Sequence, residues 1–329
     1  NHRMELQEKQ RFAKFEKVLT LGDDSVKLKG EFLFCWPYSW EDKVHHVLTD
    51  KLSSDVTHWV AGLLPEVHTA VNTKYVESTA QWCVFGSPTS WRQKSLEDPE
   101  IYAKLLLYCK VIHYLFLLDD ITETKEGDEG FTSYVQCVGS LIMKIWRNEV
   151  GSANIKTHQL FHCIYRNSAY TGSLFRLLLD ITEDMRRRYG ISADSSEFCA
   201  RRMGSMYTLR TWCGYKDQSF LLNPFTQYLL RNYTGGILFC LEFLLLLEKV
   251  EIPTRVRENT FWSRCYEIFG FLPVRSNDII GVEKEWIQMM KHGKRIDNVI
   301  FHYMVATSCS FEEAVARAIN KHNFALKEQ

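Results

Sequence analysis

A mostly helical, all-α single domain is the fold class that this sequence predicts. Long stretches with apolar residues at helical spacing alternate with short polar turns. Only seven Pro and no Ser/Gly-rich linker interrupt them, and 46% hydrophobic with 13% aromatic content over 329 residues suffices for one sizeable core. No break in composition and no internal repeat argues for a second domain.

In chain order, helices are expected at Val44–Leu64, Ile101–Thr124, Thr132–Trp146, Gln159–Thr182, Ser195–Tyr207, Pro224–Leu247, Val256–Ile268, Val274–Met290, Ile296–Ser308 and Phe311–Asn323. The second carries the apolar run Leu105 to Leu118 and reads as a buried helix that delivers the acidic residues after it to a cavity rim. The segment from Pro224 to Leu247 contains Gly235-Gly236, which costs about 1 kcal/mol per Gly in a helix interior. It reads either as a break that frees backbone carbonyls or as a glycine cap on a helix ending near Tyr233. The run from Gly235 to Leu247 is interrupted by Glu242 and falls short of the ~18 to 20 residues a bilayer crossing needs, so no transmembrane segment is expected.

Two polar clusters carry chemistry. In Asn277-Asp278-Ile279-Ile280-Gly281-Val282-Glu283-Lys284-Glu285, a helix places Asn277, Gly281 and Glu285 on one face, because positions four apart stack. An amide oxygen and a carboxylate are hard ligands of the kind Mg²⁺ takes, together with waters and substrate phosphates. In Asp119-Asp120-Ile121-Thr122-Glu123, Asp119 and Glu123 are also four apart. Their repulsion makes a bound cation a natural reason for the arrangement, and a solvated helix end is the alternative.

Together these clusters resemble the two metal motifs of class I terpene synthases, D-D-x-x-D/E and N-D-x-x-S/T/G-x-x-x-E followed by basic residues. The resemblance covers most of the chain and is to microbial-type enzymes, including those of animals such as soft corals. It includes Pro224 to Gly236 and, after the second motif, Lys284, Trp286, Arg295, Asp297 and Asn298. Phe32-Leu33-Phe34-Cys35-Trp36-Pro37 is similar in placement to the start of the catalytic domain, which implies an N-terminal segment 1–29 and a catalytic domain 30–329.

The resemblance implies an all-α helical bundle around a central apolar active-site cavity. It implies metal ligation by Asp119, Glu123, Asn277 and Glu285, with Asp120 in support and a water standing in at Gly281, where many relatives have Ser or Thr. Three Mg²⁺ ions, with Mn²⁺ as a substitute, are the expected cofactors. Arg231 corresponds to the diphosphate sensor, since a planar guanidinium grips phosphate oxygens in pairs. Thr234 and Gly235 match the linker and effector positions of that catalytic element, and Lys284 a diphosphate contact. Such enzymes also carry an Arg-Tyr pair near the C-terminus. None follows Glu285 and Arg188-Tyr189 lies far upstream, so the expectation is a missing C-terminal segment, with closure achieved differently as the alternative.

The activity so implied is Mg²⁺-dependent ionisation of farnesyl or geranylgeranyl diphosphate and cyclisation of the resulting cation, with diphosphate released. Phe116, Tyr114, Trp212, Phe239 and Trp286 are candidates to stabilise positive charge over their rings, although aromatics at helical spacing more often form core. The alternatives are a chain-elongating prenyl diphosphate synthase, which should carry a second aspartate-rich motif where Asn277 stands, and an inactive helical relative acting as a binding protein.

A formal net charge of +0 gives no field to recruit nucleic acid, and Arg186-Arg187-Arg188 reads as a charged surface turn. Ten cysteines are scattered singly, without C-x-x-C pairs, as suits reduced thiols in a cell. Asn1 to Lys17 is too charged for a secretory leader. A cytoplasmic protein is therefore expected, with an isoprenyl diphosphate of C15 or C20 as its partner and a homodimer left open.

Overall fold

The computed structural model describes residues 10–21, 24–35, 43–65, 70–125, 129–210, 230–292 and 298–328. From residue 43 onward every regular element among them is helical, as expected. The sequence reading had no place for the antiparallel hairpin β1 (Gln10–Leu21) and β2 (Asp24–Cys35), in which Gln10 stands opposite Cys35 and Leu21 opposite Asp24. The expected boundary at residue 30 falls within β2, and Trp36 and Pro37 lie outside the described residues.

The described residues group into two compact units. The first gathers α1 (Lys43–Leu63), α2 (Ala70–Gly86), α3 (Thr89–Lys94), α4 (Pro99–Thr124), α5 (Phe131–Trp146), α6 (Gln159–Asn167), α7 (Ala169–Tyr189), α8 (Ala193–Arg210) and most of α9 (Ile237–Leu247). Neither α2 nor α3 was among the expected helices. At its centre is α4, packed on α1, α2 and α7. Its start is well specified: Asp98 Oδ1 accepts the Glu100 N–H at 2.9 Å, Pro99 takes the first helical position, and Glu100 complements the helix dipole. Between Leu105 and Leu118 nearly every residue is buried, which is what a helix apolar all round requires. The stretch Pro99–Thr122 is long and apolar enough to cross a bilayer by length and composition, but most of it is buried within the fold.

Within this unit α5 crosses closely on α8. A methyl group added at Gly139 would meet Thr208 Oγ1 at 2.9 Å and the Gly204 carbonyl at 3.0 Å, so only glycine permits the approach. One predicted helix, Gln159–Thr182, divides into α6 and α7 at Ser168. That residue is extended (φ −158°, ψ 104°), and its hydroxyl accepts the Thr171 N–H to cap α7. The arginine run closes α7 instead of forming a turn. Arg186 donates to the carbonyls of Ile145 and Trp146 at the end of α5, while Arg187 and Arg188 pair with Asp184.

The second unit contains the hairpin, the helical residues 230–234, α10 (Thr254–Arg257), α11 (Thr260–His292), α12 (Val299–Thr307) and α13 (Phe311–Glu328). Here α13 packs on α11, α12 and β2. Ile279 and Val282 of α11, Ile300 of α12 and Ala314 and Ala318 of α13 form the core of this packing. The predicted helices Val256–Ile268 and Val274–Met290 are largely one helix, α11, which runs through Pro273. Proline lacks the N–H for one helical hydrogen bond, so it invites a break on sequence alone. The buried face formed by Phe271, Leu272, Val274 and Ile279 carries the helix past it.

Candidate functional site

The first motif ends α4. Asp119 and Asp120 are both half-buried, and the Glu123 side chain lies outside the described residues. Asp120 is close enough to Tyr170 of α7 to add to the burial that raises that phenol's pKa. Phe116, one turn before the aspartates on the same side of the helix, is 40% exposed in an otherwise buried segment. The other aromatic candidates fall differently. Tyr114 is fully buried, Phe239 packs among Trp146 and Phe243, and Trp286 packs on Phe301 and Phe311. Trp212 lies outside the described residues. Among the described candidates Phe116 is the exposed one, beside the first acidic motif, while Trp286 is half-buried.

The second motif lies on α11, and the helix sorts its residues as the four-residue spacing requires. Asn277 and Lys284 are exposed, and Gly281 and Glu285 are half-buried, on one side. A methyl group added at Gly281 would stand 3.2 Å from Glu285 Oε1, so the carboxylate leans over the space that glycine leaves. Side chains on a helix lean toward its N-terminus, which here means toward Asn277.

Asp278, one residue on from Asn277, points the other way and is fully buried. Its Oδ1 accepts from Arg231 Nε at 3.1 Å and Nη2 at 2.7 Å. Oδ2 accepts the Val299 N–H at 3.3 Å and lies 3.9 Å from Arg275 Nη1. Arg275 in turn stacks 5.0 Å over the Phe271 ring. Two guanidiniums and a backbone N–H thus compensate a carboxylate that could not otherwise be buried. Sequence reasoning gave Asp278 no role. The signal was present in Arg275 three residues earlier, since positions three apart share a helix face.

Arg231 is held by the helical residues 230–234, which stop at the glycine pair. Gly235 N–H donates to the Arg231 carbonyl at 3.0 Å, and Gly236 takes the left-handed φ of 75° before α9 begins at Ile237. The helix end that both sequence readings placed at this pair is observed: the left-handed glycine ends one helix and the next starts at once. A methyl group at Gly235 would lie 2.3 Å from Val274 Cγ2, so this glycine also permits close packing on α11. The Thr234 hydroxyl is buried there without a hydrogen-bond partner among the described residues.

Glu285 has a second anchor. Asn298 is fully buried, and its Nδ2 donates to Glu285 Oε2 and to the Asp278 carbonyl, each at 2.7 Å. Its Oδ1 accepts the Ile300 N–H at 2.8 Å and caps α12. Asn298 follows residues 293–297, which include Arg295 and Asp297 and lie outside the described residues.

The donor groups of both motifs suit a hard divalent cation. Asp119 and Asp120 on α4, and Asn277 and Glu285 on α11, offer oxygens only, and the open position at Gly281 leaves room for a water. Among the described residues no three carboxylate, imidazole or thiol side chains converge on a single point. Few protein oxygens per ion is the pattern Mg²⁺ takes when water and phosphate complete its shell.

The fold is shared with known enzymes. Germacradien-4-ol synthase from Streptomyces citricolor superposes with a TM-score of 0.61 over 89% of this chain and 82% of its own, at 13% identity. For 2-methylisoborneol synthase from Streptomyces coelicolor A3(2) the TM-score is 0.62, over 89% and 81%, at 14% identity. A curated protein from Roseiflexus castenholzii, (+)-T-muurolol synthase ((2E,6E)-farnesyl diphosphate cyclizing), is 23% identical over 142 residues, which span 42% of each chain. Residues 110–328, most of the chain and both motifs, match the family described as terpene synthase family 2, C-terminal metal binding, and the chain belongs to that family.

Proposed function

We propose that this protein is a terpene cyclase that ionises farnesyl or geranylgeranyl diphosphate and cyclises the cation to a sesquiterpene or diterpene, releasing diphosphate. The observation that carries the reading is the α11 arrangement: Asn277, Gly281, Lys284 and Glu285 share one side, while Asp278 on the other anchors Arg231. Bound Mg²⁺ would neutralise the diphosphate and make it a better leaving group.

The chain's own residues do the rest. Asp119, Asp120, Glu123, Asn277 and Glu285 supply oxygens, with a water at Gly281, and Arg231 and Lys284 offer N–H donors to the diphosphate. Both electrons of the allylic carbon–oxygen bond leave with the diphosphate, so a cation remains that must be kept from water. Phe116, accessible one turn before Asp119, presents a ring face worth about 1 to 2 kcal/mol of cation–π stabilisation when desolvated. The named substrate of the Roseiflexus enzyme makes farnesyl diphosphate the first to test. A cytoplasmic location is part of the proposal, supported by cysteines scattered without paired spacing.

The experiment is incubation with geranyl, farnesyl and geranylgeranyl diphosphates and Mg²⁺, followed by gas chromatography–mass spectrometry of the extract. A cyclic hydrocarbon or alcohol is expected. Longer prenyl diphosphates, formed with added isopentenyl diphosphate, would instead identify a chain-elongating enzyme.

A further inference from the structure

We infer that Asn298 is a positioning residue for the Glu285 carboxylate, fixing the orientation in which that side chain meets a divalent cation; the inference rests on the proposed role of Glu285 as a metal ligand. Asn298 lies thirteen residues beyond Glu285, on the far side of α11's end, where no helical spacing connects the two. The fold joins them through one carboxamide.

Three hydrogen bonds leave that carboxamide little freedom. Oδ1 is committed to the Ile300 N–H at the start of α12, which settles which end of the amide points where. Nδ2 is then directed at α11 and donates to two acceptors there, the Asp278 carbonyl and Glu285 Oε2, each at 2.7 Å. Because Asn298 is fully buried, water does not compete for these bonds. With Oε2 so held, Oε1 is the oxygen that leans over Gly281, 3.2 Å from where a methyl group would sit. One oxygen of Glu285 is therefore tied to Asn298 and the other lies over Gly281, one turn from Asn277. A ligating carboxylate gains from such an arrangement, since the metal meets a side chain whose rotamer is already chosen.

The same contacts tie the ligand to the diphosphate sensor. Asn298 grips the carbonyl of Asp278, and the Asp278 carboxylate accepts from Val299 N–H, the next residue after Asn298, and from Arg231. The α12 start thus fixes both Glu285 and the partner of Arg231.

The capping and positioning roles separate by substitution. Asn298→Ser retains a good cap for α12, because a serine oxygen also accepts a backbone N–H, but it has no amide donor to reach Glu285. The readout is thermal unfolding with inorganic pyrophosphate at fixed concentration while Mg²⁺ is titrated. In the wild type, Mg²⁺ and pyrophosphate together should raise Tm. In Asn298→Ser the metal-free Tm should fall modestly, because two buried acceptors lose their donor, while the Mg²⁺ concentration for the half-maximal rise, read relative to each variant's own metal-free Tm, increases about 10- to 100-fold. Should the serine variant unfold at assay temperature, Asn298→Thr, an uncharged cap that also lacks the amide donor, takes its place with the same expected shift. On the Glu285→Gln background, the serine substitution should add little further shift. An unchanged Mg²⁺ requirement in a folded variant overturns the inference alone, whereas no pyrophosphate-dependent shift in the wild type overturns the metal reading of Glu285 and the inference with it.

Discussion

Arg231 holds Asp278 with two donors on one oxygen, Nε at 3.1 Å and Nη2 at 2.7 Å, across 47 positions of sequence. The pair makes the arginine proposed to sense diphosphate part of the scaffold. Arg231→Ala would leave a fully buried carboxylate with Arg275 and a backbone N–H as its remaining partners among the described residues, so it should lower stability by about 2 to 4 kcal/mol, as well as lowering kcat/KM. Urea unfolding measures the first effect and steady-state kinetics the second. Arg231→Lys, which keeps the charge but not the paired donors, should recover part of the stability and little of the activity.

Gly281→Ala separates stability from metal binding in the opposite sense. An interior helical glycine replaced by alanine should gain about 0.5 to 1 kcal/mol. The new methyl group would stand 3.2 Å from Glu285 Oε1, so the carboxylate must give way by a few tenths of an ångström. The expected result is a higher metal-free Tm with a several-fold higher Mg²⁺ requirement for turnover. A higher Tm with unaltered Mg²⁺ dependence would show that Glu285 does not need the space above Gly281.

His113 gives the fold a pH dependence. It is fully buried on α4, both ring nitrogens lack a hydrogen-bond partner among the described residues, and burial lowers its pKa from 6.5 to about 4. Between those values the unfolded chain binds the proton and the folded chain does not. Stability therefore holds above about pH 6.5 and falls as the pH drops toward 4, by about 3 kcal/mol from this residue. In His113→Leu this part of the acid sensitivity should vanish from a series of unfolding curves over that range, and an identical pH profile would show that the ring finds a proton acceptor.

Gly139→Ala should destabilise the α5–α8 crossing by about 1 to 3 kcal/mol, because the methyl group meets the Gly204 backbone as well as Thr208 Oγ1. Thermal unfolding compared with Gly62→Ala, where an added methyl group meets nothing within 4 Å, isolates the packing effect.

Most of the helices, though not α2 and α3, and the spacing within both motifs were legible in the sequence because each rests on local periodicity. The apolar run of α4 and the four-residue spacing of Asn277, Gly281 and Glu285 gave the sides that the structure displays. What escaped depends on contacts distant in sequence: Asp278 draws its meaning from Arg231, and Asn298 from Glu285. The continuity of α11 through Pro273 was hidden because packing overrides a local breaker. The hairpin did leave a local signal. Val26, Leu28, Phe32 and Phe34 alternate with Lys27, Lys29 and Glu31, and Gly22-Asp23 precedes them as a hairpin turn would.

The most direct test of the account is product formation from farnesyl and geranylgeranyl diphosphates by wild type, Asp119→Ala and Asn277→Ala, each with Mg²⁺ or EDTA, alongside circular dichroism. The account predicts a cyclic terpene from the wild type only when Mg²⁺ is present. Both variants should show an intact helical spectrum and lose the product. Undiminished product from both variants, or from the wild type in EDTA, would contradict the assignment of these two motifs as the metal-binding site.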